Sequence, residues 1–287
     1  MLHKTTGQSS RIPQIGIGSF AFRYAIGRGE FQPPNPMTAM DFLSEAHELG
    51  FGGVQLCENL GYSSLSDDEL LAIKSKADRL GLFIEIGMRY LTPENLSRHL
   101  EIAKLMSSGF LRMVLGPQQT SPAADPEALR AKSARILLDA LPQLRKQGVT
   151  VGIENNFDLT SDQLVRLVED IDDKHVGLIL DTTNCLGFTE RPQETLEIFQ
   201  PHVLSVHLKD YAVYRVEAGF IMTGTTLGEG WLDIDTLLKS ILESSKVQSI
   251  IMEMCMRRNE QHTVEETLVW EREAIEKSAN FLQKMFD

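Results

Sequence analysis

Eight short apolar segments, rich in β-branched residues, alternate along this chain with longer segments of helical periodicity. The apolar segments lack a clean polar–apolar alternation, which is typical of strands buried on both faces. They cover residues 15–20, 53–57, 83–87, 111–115, 150–154, 176–181, 203–208 and 249–253. Eight strands that alternate with eight helices in a chain of 287 residues predict an α/β fold, a (β/α)₈ TIM barrel.

Helix start signals frame the segments between these strands. Ser66 with Glu69 forms a predicted capping box, and Thr92 and Asp125 each precede a proline at the first helical position. With their caps, the predicted helices cover residues 37–49, 66–81, 92–108, 125–147, 161–171, 192–199, 233–244 and 264–286. Residues 28–36 and 209–217 are predicted loops.

A doubly wound open sheet is the rival fold. Such a sheet usually carries a glycine-rich phosphate loop after its first strand. Here the first strand leads instead into SerPheAlaPheArgTyr. No linker divides the chain, so we predict a single domain over residues 1–287.

The charge balance excludes several classes of partner. The formal net charge of −12 would repel phosphate backbones and anionic lipid, so we expect no nucleic-acid and no membrane partner. No apolar run approaches the ~20 residues of a membrane span. The polar start of the chain lacks the apolar stretch of a signal peptide, and three cysteines do not make a disulfide framework. Together these features predict a cytoplasmic protein.

Four residues with metal-binding side chains lie at the carboxyl ends of the last four predicted strands. They are Glu154, Asp181, His207 and Glu253. Barrel enzymes carry their chemistry at this end of the strands, and neighbouring strands let the four side chains converge. Three carboxylates and an imidazole around one point would repel one another without a cation between them. An oxygen-rich set with one imidazole suits one divalent ion, Mn²⁺, Mg²⁺ or Co²⁺, with Zn²⁺ as a further candidate.

Two cationic side chains near strand ends have two interpretations each. Arg89 is a candidate for bidentate binding of an anionic substrate group, or it pairs with Glu58 or Glu85. Lys209 is a candidate for polarising a carbonyl or holding a carboxylate, or it pairs with Asp210 or a neighbouring acid.

Further candidates lie in the last loops over the predicted barrel mouth. Arg215 either reaches the pocket or is solvated, and Glu229 between two glycines either closes onto a ligand or pairs with a lysine. Aromatic residues near the mouth either form a wall for a sugar or pack against the loops. These residues are Phe20, Phe22, Tyr24 and Trp231.

Five segments together resemble the xylose isomerase-like barrel family. They are ValGlyIleGluAsn at 151–155, LeuAspThrThrAsn at 180–184, ValHisLeuLysAsp at 206–210, GlyGluGlyTrpLeuAsp at 228–233 and IleMetGluMet at 251–254. The resemblance covers nearly the whole chain. It implies a metal-binding barrel that acts on a small sugar or sugar acid, and it allows for a homo-oligomer.

The resemblance also implies roles for single residues. Glu154, Asp181, His207 and Glu253 match the metal ligands of the epimerase and isomerase branch, in which the two glutamates also move protons at the substrate carbon. Asn184 is a predicted substrate-binding residue and stands where many members have a histidine that contacts substrate oxygens. Asparagine forms hydrogen bonds but does not titrate.

Three functions follow from these features. The leading prediction is a divalent-metal-dependent sugar isomerase or epimerase that works through an enediolate, with Glu154 and Glu253 as acid and base. The alternative is a metal-dependent decarboxylase of a 3-oxo sugar acid, because parts of the chain are also similar to 3-oxo-isoapionate decarboxylases. A non-catalytic sugar-binding barrel is the second alternative. The DNA-repair endonuclease branch would need more strand-end histidines and a basic face, so we disfavour it.

Overall fold

Eight parallel strands close into a barrel in the computed structural model, which describes residues 13–116, 122–243 and 246–286. The strands of these residues are β1 (Gln14–Gly18), β2 (Gly53–Leu56), β3 (Phe83–Arg89), β4 (Phe110–Val114), β5 (Thr150–Glu154), β6 (Val176–Asp181), β7 (Val203–Leu208), β8 (Asp210–Val216), β9 (Gly219–Thr225) and β10 (Ser249–Met252). Around the barrel, β1 to β7 follow one another and β10 closes the circle between β7 and β1. The predicted (β/α)₈ barrel is therefore confirmed.

Helices follow the barrel strands and pack on the outside. Their bounds are α1 (Arg23–Ile26), α2 (Ala39–Glu48), α3 (Asp67–Leu80), α4 (Pro93–Leu105), α5 (Pro126–Gln147), α6 (Ser161–Ile171), α7 (Pro192–Phe199), α8 (Ile234–Glu243) and α9 (Val264–Phe286). The capping box that opens α3 is present, since the Ser66 side chain accepts a hydrogen bond from the Glu69 backbone and Glu69 accepts one from the Ser66 backbone. Within the described residues, no helix is both long and apolar enough to cross a membrane.

Four sequence predictions need correction or fall outside this structure. The predicted loop over residues 209–217 is instead strand β8, which pairs antiparallel with β9 in a hairpin beyond the barrel. Four of its seven residues, Tyr211, Val213, Tyr214 and Val216, have high β-propensity. The first strand ends at Gly18, and a 3₁₀ turn covers Ser19–Phe22. Ser244, the predicted last residue of one helix, and most of the polar N-terminal segment lie outside the described residues.

Side chains inside the barrel change from apolar to charged towards the carboxyl ends of the strands. At the amino end, the Phe83 ring fills space that a Cβ at Gly53 would occupy, only 2.2 Å away. Two residues further along β3, buried Glu85 accepts hydrogen bonds from Gln55 Nε2 at 2.9 Å and from Ser249 Oγ at 2.6 Å. The next layer carries the residues that the sequence singles out. Because a buried charge is costly without a partner, this layer must pair its charges internally or bind an ion.

Candidate metal centre

Three of the four predicted ligands form a tight buried cluster. Ligand atoms of Glu154, Asp181 and His207 all lie within 4.8 Å of one another. Asp181 and His207 are register partners on neighbouring strands, and Glu154 ends the strand on the other side of β6. Glu253 follows β10 and brings Oε1 to 3.7 Å from His207 Nδ1. The strand geometry thus places all four predicted ligands together.

Most of the ligand atoms lack a well-oriented hydrogen bond. Glu253 Oε1 and both ring nitrogens of His207 are buried and make no such bond within the described residues, and Asp181 Oδ2 has only the ion pair with Lys209 Nζ. Buried polar atoms without hydrogen bonds are rare in folded proteins, because they lose their hydration with little compensation. Oxygen atoms from two carboxylates and a free imidazole nitrogen are suitable ligands for a hard divalent ion. The residues present therefore fit the metal that the sequence predicts.

The LeuAspThrThrAsn segment explains how Asp181 is oriented. Its Oδ1 accepts hydrogen bonds from the Thr183 backbone at 2.9 Å, the Thr183 hydroxyl at 3.1 Å and the Asn184 backbone at 3.0 Å. The side chain of Asn155, just after β5, accepts a hydrogen bond from the Asp181 backbone N–H at 2.6 Å. It also donates one to the Asp181 carbonyl at 3.0 Å. Only Oδ2 of Asp181 therefore remains open to a ligand.

Glu253 is placed by the absence of a side chain on the neighbouring strand. A Cβ at Gly18 would lie 2.7 Å from Glu253 Cγ and 2.8 Å from its Oε1, closer than real Cβ contacts allow. Gly18 ends β1, next to β10 in the barrel. This glycine therefore gives the Glu253 carboxylate its position above the barrel.

A buried arginine, which the sequence analysis missed, completes the site. Arg112 on β4 brings Nε to 2.5 Å from Glu154 Oε2 and its terminal nitrogen to 3.2 Å from Glu58 Oε2. The guanidinium also lies 5.9 Å from the centre of the Phe20 ring. Arg112 sits inside a run of apolar residues that predicts a buried strand. An arginine in such a run requires a carboxylate partner in the barrel, and that was the available signal.

Asn184 contacts a predicted ligand directly. Its amide nitrogen donates to Glu154 Oε1 at 3.1 Å and to the Asn155 carbonyl at 3.0 Å. Together with Arg112 on Oε2, this contact engages both oxygens of Glu154. In this structure Asn184 orients a predicted metal ligand, and its role towards a substrate stays a prediction.

Lys209 pairs with two predicted ligands. Its Nζ lies 2.5 Å from Asp181 Oδ2 and 3.0 Å from Glu253 Oε2, and the side chain is only 6% exposed. Pairing with a neighbouring acid was one of its two predicted roles. The prediction that Lys209 pairs with Asp210 is wrong, because the Asp210 carboxylate binds backbone N–H groups instead.

Asp210 holds the turn that carries Glu229. Its two carboxylate oxygens accept hydrogen bonds at 2.8 to 3.1 Å from the backbone N–H groups of Tyr211, Gly228, Gly230 and Leu232. Glu229 itself is exposed, as is Arg215 on β8. The structure brings neither side chain into the ion-pair network around the ligands within the described residues.

Arg89 forms one of its two predicted ion pairs, and two of the aromatic residues pack in the interior. Arg89 Nε lies 2.7 Å from Glu58 Oε1, so this arginine extends the chain of charges from Arg112 towards the surface. Phe22 is buried against Phe42, and the Tyr24 hydroxyl donates to the Met256 carbonyl. Trp231 remains 68% exposed and available to a ligand.

Burial and ion pairing act against each other on the charged groups. Burial by itself raises the pKa of Glu154, but Arg112 and then His207 outweigh it and hold the pKa well below its usual range. The pKa of Glu253 is lowered in the same way, since Lys209 and His207 outweigh the cost of burial. Burial disfavours the charged form of Lys209, but Asp181 raises its pKa well above the ordinary value. The glutamates and the lysine are therefore ionised at neutral pH.

Comparison with known proteins points to one family. The sequence model of the xylose isomerase-like TIM barrel matches residues 43–285. A 3-oxo-isoapionate decarboxylase from Pectobacterium atrosepticum is 30% identical over 264 residues, which is 91% of this chain and 88% of that protein.

Solved structures show the same fold at lower identity. A D-psicose 3-epimerase structure determined in the presence of D-fructose has a TM-score of 0.70 and 15% identity, and covers 94% of this chain and 97% of its own. A xylose isomerase-like TIM barrel protein from Mycobacterium smegmatis in complex with magnesium has a TM-score of 0.67 and 17% identity, with 96% and 99% covered. By its matching sequence model and its 30% identical relative, this chain belongs to the xylose isomerase-like TIM barrel family.

Proposed function

We propose that this protein is a divalent-metal-dependent enzyme that removes CO₂ from a 3-oxo sugar acid. The observation that carries the proposal is the pair of buried cations, Arg112 and Lys209, bound to the predicted ligand carboxylates. The 30% identical relative that is a 3-oxo-isoapionate decarboxylase supports it. The substrate would be a small molecule, bound at the mouth of the barrel.

The charges of the site favour an anionic substrate. Four carboxylates, Glu58 and those of the three acidic ligands, are balanced against three cations, Arg89, Arg112 and Lys209. A divalent ion added to this set leaves an excess of positive charge. An uncompensated charge in a buried site is costly, and a substrate carboxylate would neutralise it. A neutral keto sugar would not.

The residues of the chain have distinct roles in this reaction. A divalent ion held by Glu154, Asp181, His207 and Glu253 would act as a Lewis acid on the keto oxygen. The bond between the carboxylate and the carbon beside the ketone breaks, and CO₂ leaves. The electron pair of that bond stays on the substrate and forms an enolate. That carbon then takes up a proton. Lys209 would orient the carboxylate before the bond breaks.

Glu253 is the better placed of the two glutamates to pass a proton from water to that carbon. Its Oε1 makes no hydrogen bond within the described residues. Both oxygens of Glu154 are engaged, by Asn184 and by Arg112. Glu154 therefore serves as a ligand, whereas Glu253, which is ionised before the reaction, combines the role of a ligand with that of a group that relays a proton from water.

Epimerisation or isomerisation of a keto sugar is the second candidate. Glu154 Oε2 and Glu253 Oε1 approach His207 Nδ1 to 3.3 and 3.7 Å, so two carboxylates face one centre. Two acid/base groups are what proton transfer between two faces or two carbons of a sugar requires. The hydrogen bonds on both oxygens of Glu154 disfavour this reading.

One experiment separates the candidates. The Mn²⁺ and Mg²⁺ forms are incubated in D₂O with a panel of 3-oxo sugar acids and the matching neutral keto sugars. CO₂ release with one deuterium in the product supports the decarboxylase, and Glu253→Gln should slow that reaction. Deuterium exchange or interconversion of neutral sugars without CO₂ supports the epimerase. Neither reaction across the panel, at full metal occupancy, would favour the non-catalytic barrel.

We also propose a cytoplasmic location. All three cysteines, Cys57, Cys185 and Cys255, are free thiols. Free thiols are common in proteins of reducing compartments.

A further inference from the structure

Lys209 occupies the one open oxygen of a predicted metal ligand. Three hydrogen bonds saturate Asp181 Oδ1, so only Oδ2 is left to bind an ion. Lys209 Nζ lies 2.5 Å from that oxygen. It also lies 3.0 Å from Glu253 Oε2, which leaves Oε1 as the open oxygen of Glu253. An ion that uses Asp181 must therefore take Oδ2 from the lysine.

The released ammonium group has few places to go. The Thr182 hydroxyl donates to the Lys209 carbonyl and accepts from the Lys209 backbone N–H, so the backbone is fixed and only the side chain can move. The neighbouring carboxylate of Asp210 already binds four backbone N–H groups. The lysine is 5% exposed, so water does not solvate it well. A buried ammonium group that loses a carboxylate partner raises the free energy of the metal-bound state.

We propose that Lys209 couples the two binding events of this site. A divalent ion displaces its ammonium group from Asp181, and the displaced ammonium group binds the carboxylate of the acid substrate. This inference rests on the proposed function, from which it takes the ion and the acid. It explains why a cation stands among metal ligands: the lysine balances the acids before the metal binds and selects an acid afterwards.

The coupling has two measurable consequences. Without an acid ligand, the lysine competes with the metal for Asp181 and weakens metal binding. With an acid ligand, the ammonium group regains a partner, so metal and acid strengthen each other's binding by the same factor.

The first test measures competition with Mn²⁺. Metal-free protein is titrated with Mn²⁺, and free Mn²⁺ is followed by electron paramagnetic resonance. Lys209→Met should bind Mn²⁺ about tenfold more tightly than the wild type, or better, because about 1.4 kcal/mol of competition is a factor of ten. Arg89→Gln is the matched control: it removes the same charge from a partly exposed pair outside the ligand set and should change affinity about twofold. Equal changes of Mn²⁺ affinity in the two variants would refute the proposal that the ion displaces Lys209 from Asp181.

The metal-free Lys209→Met protein leaves two acids without their cation. Its melting temperature in EDTA should therefore fall below that of the wild type and recover with Mn²⁺. Should it fail to fold without metal, Lys209→Gln, which retains a hydrogen-bond donor without the charge, serves for the same titration.

The second test measures the coupling. Mn²⁺ affinity is measured with and without L-threonate, a four-carbon sugar acid without a keto group, and with threitol as the neutral control. Threonate should tighten Mn²⁺ binding to the wild type about fivefold or more, the lower end of typical coupling. Threitol should have no effect, and Lys209→Met should lose the effect of threonate. No effect in the wild type, or an equal effect in the variant, would overturn the inference.

The two proposals can fail separately. Coupling that depends on Lys209 without CO₂ release from any 3-oxo sugar acid refutes the decarboxylase but leaves the inference standing. CO₂ release with coupling unchanged in Lys209→Met refutes the inference but leaves the proposed function standing.

Discussion

Adding one methyl group at Gly18 should displace the predicted metal ligand Glu253 without disrupting the barrel. The Cβ of Gly18→Ala would lie 2.7 Å from Glu253 Cγ. Relaxed carbon–carbon contacts are about 3.5 Å or longer, so the Glu253 side chain must move by about 0.8 Å. Lys209 holds Glu253 Oε2 at 3.0 Å, so the carboxylate cannot simply rotate out of the way without losing an ion pair.

The expected effect is large on metal binding and small on stability. Disturbing the groups that orient a metal ligand typically costs about 10- to 100-fold in affinity, and we expect Mn²⁺ affinity to fall within that range. Overpacking costs about 1–3 kcal/mol, but alanine recovers about 0.4–1 kcal/mol by restricting the unfolded chain. The net loss in the free energy of unfolding, measured in EDTA, should therefore lie between about 0 and 2.6 kcal/mol.

Gly109→Ala is the matched control for this substitution. A Cβ at Gly109, just before β4 at the opposite end of the barrel, would meet only one backbone oxygen at 3.8 Å. Its Mn²⁺ affinity should equal that of the wild type. A Gly18→Ala protein that folds normally and binds Mn²⁺ within twofold of the wild type would refute the assignment of Glu253 as a ligand.

Three further predictions test other groups. Arg112→Met removes the guanidinium partner of buried Glu154 and one of the two guanidinium partners of Glu58, and it should lower the free energy of unfolding by about 3–5 kcal/mol in urea titrations; a loss below about 1 kcal/mol would contradict the ion-pair network. His207→Ala should lower the metal content of gently purified protein, and equal content in elemental analysis would refute the imidazole as a ligand. Burial raises the pKa of Glu271 to about 7 from an ordinary 4.5, so its protonated form stabilises the fold below pH 4.5 and this contribution disappears as the pH rises through about 7. The stability of the wild type relative to Glu271→Gln should fall by up to about 3 kcal/mol between pH 5 and 8, and a constant difference would be inconsistent with that pKa.

The strands and most helices could be predicted because their signals are local. Residues 150–154, 176–181 and 203–208 were predicted as strands and are strands β5, β6 and β7 with the same bounds. Side chains at their ends must converge, because parallel neighbours in a barrel place their carboxyl ends on one face. The ligand cluster of Glu154, Asp181 and His207 follows from that rule.

The hairpin was not predicted, because its signal depends on a partner. The residues of β8 have high β-propensity. However, β8 begins only one residue after the end of β7, and it is not one of the eight barrel strands that the pattern predicts. Only the pairing with β9, seven residue pairs from Asp210–Thr225 to Val216–Gly219, makes it a strand.

The sequence by itself determined the barrel and the convergence of the four predicted metal ligands, while the tertiary structure decided how the charges at that site are paired. Hydrophobic periodicity and strand direction are properties of short segments. They place a side chain at one end of the barrel whichever residues it contacts there. Which carboxylate Lys209 and Arg112 reach depends on distances across the barrel between residues far apart in the chain. Lys209 is adjacent in sequence to Asp210, yet it pairs with Asp181 and Glu253, because the Asp210 carboxylate already binds the backbone of a turn about twenty residues later.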